Sequence, residues 1–336
     1  MCKKTILIVT DNLRDQVNGV VTTFKNIEAH ASSDGYNVVY IDPRQFPHIN
    51  CPGYPEVKLS YPRQMGKKIE EINPTYIHIA TEGPVGLAAR LYCDSKGYTY
   101  NTSYHTKFPE FLKKIYGIPK VLTYWYVRWF HKHSGRVLTT TDTMRQELIA
   151  HGFKNNIVSW TRGVDRAIFK SSLRGNTVAG RPILLYVGRV SKEKNIDAFC
   201  KLDYPGATKL IVGDGPYRKE LEAKYLDVIF AGTKTGASLA EYYANADVFV
   251  FPSCSDTFGI VIIEALAVGT PVAAYPVPGP IDILENGVTG YMGDDLKTCV
   301  EQCLTLYRNN VEANSQQWTW EHCWDIFKNN LIKTRQ

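Results

Sequence analysis

Three short segments in the second half of this 336-residue chain place cations, carboxylates and glycines where they could manage a phosphate leaving group. The first, Gly188-Arg189-Val190-Ser191-Lys192-Glu193-Lys194-Asn195, follows the apolar run Ile183–Val187. A glycine at the carboxyl end of a parallel strand lets a ligand approach the backbone, which is where open α/β sheets bind ligands. Arg189 and Lys194 would set two fixed cations beside such a crevice, and a departing diphosphate needs that neutralisation as its bond breaks. A solvated basic loop after a strand would carry the same residues.

In the second segment, Lys209–Val212 runs into Gly213-Asp214-Gly215-Pro216 and then a helical pattern. A helix N-terminus held by a tight turn suits an anion, although an ordinary strand-to-helix turn looks much the same. The third glycine of a dinucleotide fingerprint is missing. The third segment, from Ser253 through Asp256, Phe258, Gly259 and Ile260 to Glu264 and Pro271, follows the apolar run Val248–Phe251. Asp256 reads as an N-cap, leaving N–H groups around Phe258–Ile260 for phosphate oxygens. Glu264 stands in the apolar run Ile260–Leu266, so it must find a partner. Ribose hydroxyls would serve, and so would an internal arginine or backbone donor.

These segments need strands behind them and helices between. Buried-strand candidates are Ile6–Thr10, Asn37–Ile41, Tyr76–Ala80, Tyr98–Thr102, Val137–Thr141 and Ile157–Trp160 in the first half. In the second they are Ile183–Val187, Lys209–Val212, Val228–Ala231, Val248–Pro252 and Pro271–Tyr275. Amphipathic stretches such as Thr143–His151 and Tyr217–Tyr225 alternate with them, the pattern of βαβ units on parallel sheets. The chain exceeds the size at which one core keeps growing, so two domains are expected. The polar segment Lys170–Arg181 reads as their linker. The expected division is 1–170, 171–312, and a closing helix within 313–336 that packs back on the first domain.

Charge is unevenly spread. Residues 1–170 carry 23 Lys/Arg against 14 Asp/Glu, while the rest carries 16 against 19. An anionic acceptor or membrane surface would suit the basic half, and so would simple solubility. Residues 113–136 interleave Lys113, Lys114, Lys120, Arg128, Lys132 and Arg136 with Tyr116, Tyr124, Trp125, Tyr126, Trp129 and Phe130. Such a stretch can lie on an anionic bilayer or pack the core with its cations solvated. Nucleic acid is not expected, because no groove-reading motif accompanies it. The eight cysteines show neither a disulfide framework nor zinc-ligand spacing, which suggests a reducing, cytoplasmic setting, at most peripheral on a membrane face. No metal is expected, and no cofactor. A P-loop kinase is disfavoured because no Gly-Lys-Ser or Gly-Lys-Thr occurs.

Taken in order, Gly188-Arg189…Lys194, Gly213-Asp214-Gly215-Pro216 and the pair Asp256 and Glu264 resemble glycosyltransferase family 4. Asn18-Gly19-Val20-Val21, Thr81-Glu82-Gly83-Pro84, Ser103 to Glu110, Trp129-Phe130-His131, Arg162-Gly163-Val164-Asp165 and Gly279-Pro280-Ile281-Asp282 extend the likeness almost end to end. They are similar to the mannosyltransferase-like subgroup related to sulfolipid and phosphatidylinositol mannoside synthases. The resemblance implies the GT-B fold, two Rossmann-like α/β domains facing each other across a donor-binding cleft. It implies a retaining, metal-independent hexosyltransferase using a nucleotide diphosphate sugar, with GDP-mannose favoured, a UDP-sugar next, and a lipid or glycan as acceptor. Arg189 and Lys194 would hold the diphosphate and Glu264 the ribose. Asp256, Phe258, Gly259 and Ile260 would contact donor sugar and phosphates, beside Gly188 and Gly215. Gly19 would leave room for the diphosphate, and His105 would face the sugar. Glu82, Lys107 and Glu110 would border the acceptor. Many members carry Glu where this chain has Asp256, a shorter arm. Two other readings stay open: a non-catalytic nucleotide-sugar-binding protein, and another GT-B enzyme such as a sugar-nucleotide epimerase. Turnover separates the first from an enzyme.

Overall fold

Thr5–Val9 (β1) and Ile183–Val187 (β9) are short apolar runs whose side chains are almost all buried, as strands covered on both faces must be. Each is an interior strand of its own six-stranded sheet. In the computed structural model, which describes residues 3–16, 18–51, 54–175 and 182–335, the chain divides into two units. One comprises Met1–Arg162 with Trp320–Gln336, the other Gly163–Thr319. Residues 176–181 of the expected linker lie outside the described residues.

The first unit pairs β1 with Asn37–Ile41 (β2) and Tyr76–Ile79 (β5), then continues through Asn101–Tyr104 (β6), Val137–Thr139 (β7) and Ile157–Ser159 (β8). All of these pairings are parallel. A separate antiparallel pair, His48–Cys51 (β3) and Tyr54–Ser60 (β4), is inserted before β5. The sequence reading passed over it, since prolines at 52 and 55 and few apolar residues weaken the strand signal. The strand expected at Tyr98–Thr102 begins instead at Asn101. Gly97 ends the preceding helix in the left-handed region, and the Tyr98 amide is still bonded back to the carbonyl of Cys93.

In the second unit Thr208–Val212 (β10), Val228–Gly232 (β11), Val248–Phe251 (β12), Val272–Ala274 (β13) and Gly290–Met292 (β14) give the order β11-β10-β9-β12-β13-β14. This is the doubly wound order of a dinucleotide-type sheet, and its direction reverses between β9 and β12. β14 is only three residues long and was missed in the sequence.

The helix Trp320–Asn329 carries Trp320, Cys323, Trp324 and Phe327 on one buried stripe, the helical i, i+3, i+4, i+7 pattern. It packs on helix Gly19–Ser33, with Phe327 edge-on to Phe24 and against Trp160 and His78. Trp160 donates its indole N–H to the carbonyl of Cys323 at 2.9 Å, and Trp324 donates to Asp34 at 2.8 Å.

The basic aromatic stretch is two helices, Phe108–Tyr116 and Lys120–His131, separated by Gly117 in the left-handed region and by Pro119. The core-packing reading holds for part of it, and another part is exposed. Tyr124, Val127 and Phe130 are buried, whereas Val121, Leu122 and Trp125 are 78%, 61% and 61% exposed. Among the described residues no helix is long and apolar enough to cross a membrane.

Candidate active site

The reversal between β9 and β12 puts the loops leaving both strands side by side. Backbone bonds stitch the β9 loop to the β10 loop: Gly188 N–H to Val212 O at 3.0 Å, Val190 N–H to Asp214 O at 2.9 Å, and Tyr217 N–H to Val190 O at 3.0 Å. Gly213 has φ +141°, and a Cβ there would lie 1.9 Å from the carbonyl oxygen of Gly188. Only glycine fits this contact. A Cβ on Gly215 would likewise lie 2.3 Å from the Val190 carbonyl. The helix that follows, Arg218–Lys224, is short. The observed part of Gly213 and Gly215 is to let two loops interlock.

Lys192–Lys194 form one tight turn, ended by Asn195 in the left-handed region at φ 56°. The Asn195 side-chain amide donates to the carbonyl of Pro252 at 3.1 Å, fastening the loop to the end of β12. Lys194 is thereby carried to Asp256, with Nζ 2.6 Å from Oδ1. Burial pushes the Asp256 carboxyl up, but the Lys194 charge and hydrogen bond, with help from Ser253, outweigh it and hold the group below its usual range. Asp256 is not the N-cap expected from the sequence. The helix begins at Ile260 with Gly259 as its cap at φ +89°, three residues beyond Asp256, and no side chain caps it. A partly buried ammonium is the stronger partner for this carboxylate than a more distant helix end.

Phe258 is buried and meets Trp318 edge-on at 5.7 Å. Gly279, with φ +95°, brings the Pro276–Ile281 segment beneath it, since a Cβ there would lie 2.3 Å from the Phe258 carbonyl. Glu264, one turn into the helix Ile260–Ala267, is partly buried and accepts a hydrogen bond from Tyr243 Oη at 2.9 Å. Its observed partner is thus a tyrosine, which the sequence reading did not consider. Burial raises its carboxyl to about 7, and Tyr243 offsets this only in part. Gly188, Arg189, Lys194, Gly215, Asp256, Phe258, Gly259, Ile260 and Glu264 all belong to the second unit, on its β9, β10 and β12 loops and the helix after β12.

The remaining candidates belong to the first unit. Gly19 is the first residue of helix Gly19–Ser33, and Asn18 caps that helix by accepting from Val21 N–H at 2.9 Å. His105 directly follows β6, where its ring packs against Phe24 and Trp160 and accepts from Arg162. Glu82 is buried, 3.3 Å from His131 Nε2. Lys107 is paired with Glu147 at 2.7 Å, and Glu110 with Lys120 at 2.9 Å. Each of these three side chains therefore has a partner within the first unit. Two further residues were given no role from the sequence. Asp11 accepts from Thr81 Oγ1 and from the N–H groups of Val85 and Gly86, closing the end of helix Pro84–Lys96; burial raises its carboxyl to about 6. Arg162 lies in a motif that was noted but given no role. A polar residue straight after a strand, and an arginine inside a family-like motif, were the available signals.

Both units have the Rossmann-like α/β architecture of GT-B glycosyltransferases. Sucrose-phosphate synthase from Thermosynechococcus elongatus superposes with a TM-score of 0.80 at 18% identity, covering 97% of this chain and 98% of that one. An Anabaena protein solved with UDP-glucose gives 0.73, also at 18% identity, covering 97% and 98%. In sequence, the Glycosyltransferase Family 4 description matches residues 17–167 and that of Glycosyl transferases group 1 matches residues 181–309. A GDP-mannose-dependent alpha-mannosyltransferase of Mycobacterium tuberculosis is 30% identical over 87% of this chain and 84% of its own length. The sulfoquinovosyl transferase of Arabidopsis thaliana is 30% identical over 85% of this chain, which spans 59% of that protein's length. The chain belongs to glycosyltransferase family 4.

Proposed function

We propose that the protein is a retaining, metal-independent hexosyltransferase that takes mannose from GDP-mannose, or failing that a hexose from a UDP-sugar, and passes it to a lipid or glycan hydroxyl. The observation that carries this reading is the Lys194–Asp256 pair joining the loops after β9 and β12 at the sheet's point of reversal, with Arg189 on the first loop and Glu264 on the helix that follows the second. The GDP-mannose-dependent relatives favour the donor. The acceptor hydroxyl attacks the anomeric carbon from the face the diphosphate leaves. The new C–O bond forms as the bond to phosphate breaks, and the hydroxyl proton passes to the departing phosphate oxygen. Arg189 and Lys194 stabilise the charge that develops there. Glu264 holds the ribose diol, while Asp256, Phe258, Gly259 and Ile260 with His105 and Gly19 serve the sugar and phosphates. Glu82, Lys107 and Glu110 shape the acceptor side through the contacts they make. The exposed apolar face at Val121, Leu122 and Trp125, flanked by Lys113, Lys120 and Lys132, suits an anionic membrane surface on the cytoplasmic side.

The test is a donor panel. Thermal shift with GDP-mannose, UDP-glucose and the free nucleotides ranks affinity. Release of nucleoside diphosphate then reports turnover, and NMR of the product reports its anomeric configuration. Binding without turnover would favour a non-catalytic sensor instead, and an inverted product would remove retention.

A further inference from the structure

His105 and Arg162 form a contact whose chemistry has only one direction. Arg162 Nη2 lies 3.0 Å from His105 Nδ1. A guanidinium has donors and no acceptor, so the imidazole nitrogen facing it must be the one without a proton. Arg162 is itself held in place. It is 3% exposed, its Nη1 donates to the carbonyls of Trp160 and Thr161, and its guanidinium lies 4.4 Å from the centre of the Trp160 ring. The ring of His105 is fixed as well, by Phe24 edge-on at 5.8 Å and Trp160 at 5.8 Å. Among the described residues, Arg162, His78 and His131 act on its charge, and each disfavours protonation. Burial first, and then the arginine charge, push its basicity well below that of an ordinary histidine.

We propose that Arg162 is a positioning residue for the transfer reaction: by donating to Nδ1 it holds His105 as the tautomer that carries its proton on Nε2. A ring in that state carries a neutral N–H donor on Nε2, an atom shielded from solvent in the donor-free protein; such a donor can bond a sugar hydroxyl without placing a second cation beside an electron-poor anomeric centre. A protonated imidazole there would oppose the positive charge that develops on the sugar as the diphosphate leaves. The inference rests on the proposed role of His105 toward the donor sugar, but the tautomer itself can be read without any donor.

The experiment is 15N–1H correlation spectroscopy of the histidine-labelled, substrate-free protein between pH 5 and 8, with the His105 signals assigned by their loss in His105→Asn. The expected result is a single neutral form with the proton on Nε2 throughout. In Arg162→Met the tautomer should shift or the ring should begin to protonate within this range, whereas Arg162→Lys, which keeps a donor, should preserve the wild-type pattern. In a transfer assay kcat should fall roughly 10-fold in Arg162→Met, the scale of one lost hydrogen bond, with KM little changed and partial rescue by lysine. A wild-type ring protonated on Nδ1, or charged at pH 6, overturns the proposal, as does an Arg162→Met spectrum identical to wild type. Should Arg162→Met fail to fold, the wild-type and lysine spectra decide the matter. If His105→Asn retains full turnover while the spectra follow expectation, the sugar-contact reading fails and the tautomer assignment stands.

Discussion

Lys194 Nζ and Asp256 Oδ1 stand 2.6 Å apart, joining the loop after β9 to the loop after β12. Both side chains are about three-quarters shielded from solvent, so the pair is neither a surface contact nor a dry one. In the free protein the carboxylate occupies the ammonium that a diphosphate would use. Under the proposed assignment a donor phosphate competes with, or shares, an existing partner, and the loop is already formed when the donor arrives.

Removing one member leaves the other shielded and unpaired. Lys194→Met should destabilise the protein by about 1–3 kcal/mol at pH 7, and Asp256→Asn in the Lys194→Met background should return part of that loss. The folded-state carboxyl lies below its unfolded value, so the stabilisation is present above the unfolded pKa and disappears as pH falls through the folded one. Denaturant titrations of the double-mutant cycle at pH 7 and pH 3.5 check this. Strictly additive effects would show that the two residues do not interact.

Catalysis should depend on the same cations more steeply than stability does. Arg189→Ala and Lys194→Ala are each expected to lower kcat by at least ~100-fold, the scale of a lost oxyanion donor. Steady-state kinetics on the donor that turns over will measure it. Near-normal turnover in both variants refutes the diphosphate assignment.

Glu264 should make nucleotide affinity depend on pH. Its carboxyl titrates near pH 7 in the free protein, and ribose hydroxyls donate most strongly to the ionised form. Affinity should rise from pH 6 to pH 8, and Glu264→Gln should bind more weakly with the slope gone. Folding stability moves the other way. The folded-state value is raised, so ionisation costs stability as pH climbs from about 4.5 through 7. Glu264→Gln without nucleotide should thus gain roughly 1–3 kcal/mol on wild type at pH 8 relative to pH 5. Calorimetric binding and melting at both pH values test the two halves separately.

His78 predicts acid sensitivity in the first unit. It is fully buried, with Nε2 2.6 Å from Ser103 Oγ. Burial, and then the charge of Arg162, lower it to about 3. A histidine kept neutral by the fold contributes stability above its unfolded pKa and loses it as pH falls toward the folded value. Between pH 7 and pH 5 the loss should be about 2 kcal/mol. His78→Phe, which cannot titrate, should lose correspondingly less over the same interval. Equal losses in the two proteins would mean that another group governs the acid response.

The helix Trp320–Asn329 offers a test of packing. Trp324 is 2% exposed and lies edge-on to Tyr36 at 5.5 Å. Trp324→Ala should cost about 3–5 kcal/mol. Hydrogen exchange should show the loss spreading into helix Gly19–Ser33, which packs on this helix. Destabilisation confined to residues 320–336 would contradict that coupling.

All eleven strands read from the sequence are present within a few residues, because most buried parallel strands are apolar runs bounded by polar turns, a strictly local signature; the polar β6, Asn101–Tyr104, is the exception. The places of Arg189, Lys194, Asp256 and Glu264 just beyond the strands β9 and β12 were equally legible, since each stands at a fixed distance from such a run. The β3–β4 pair escaped because an antiparallel pair with few apolar residues and several prolines has no such local mark. What Asp256, Glu264 and His105 touch was not in the sequence at all. Asp256 looked like a helix cap until the chain placed Lys194, 62 residues earlier, against it. Glu264 meets Tyr243, and His105 meets Arg162, 57 residues away. Residue type and spacing determine which elements form and which side chains leave their ends. Hydrogen bonds and ion pairs act over about 3 Å, so partners were decided only when folding brought distant loops within that reach.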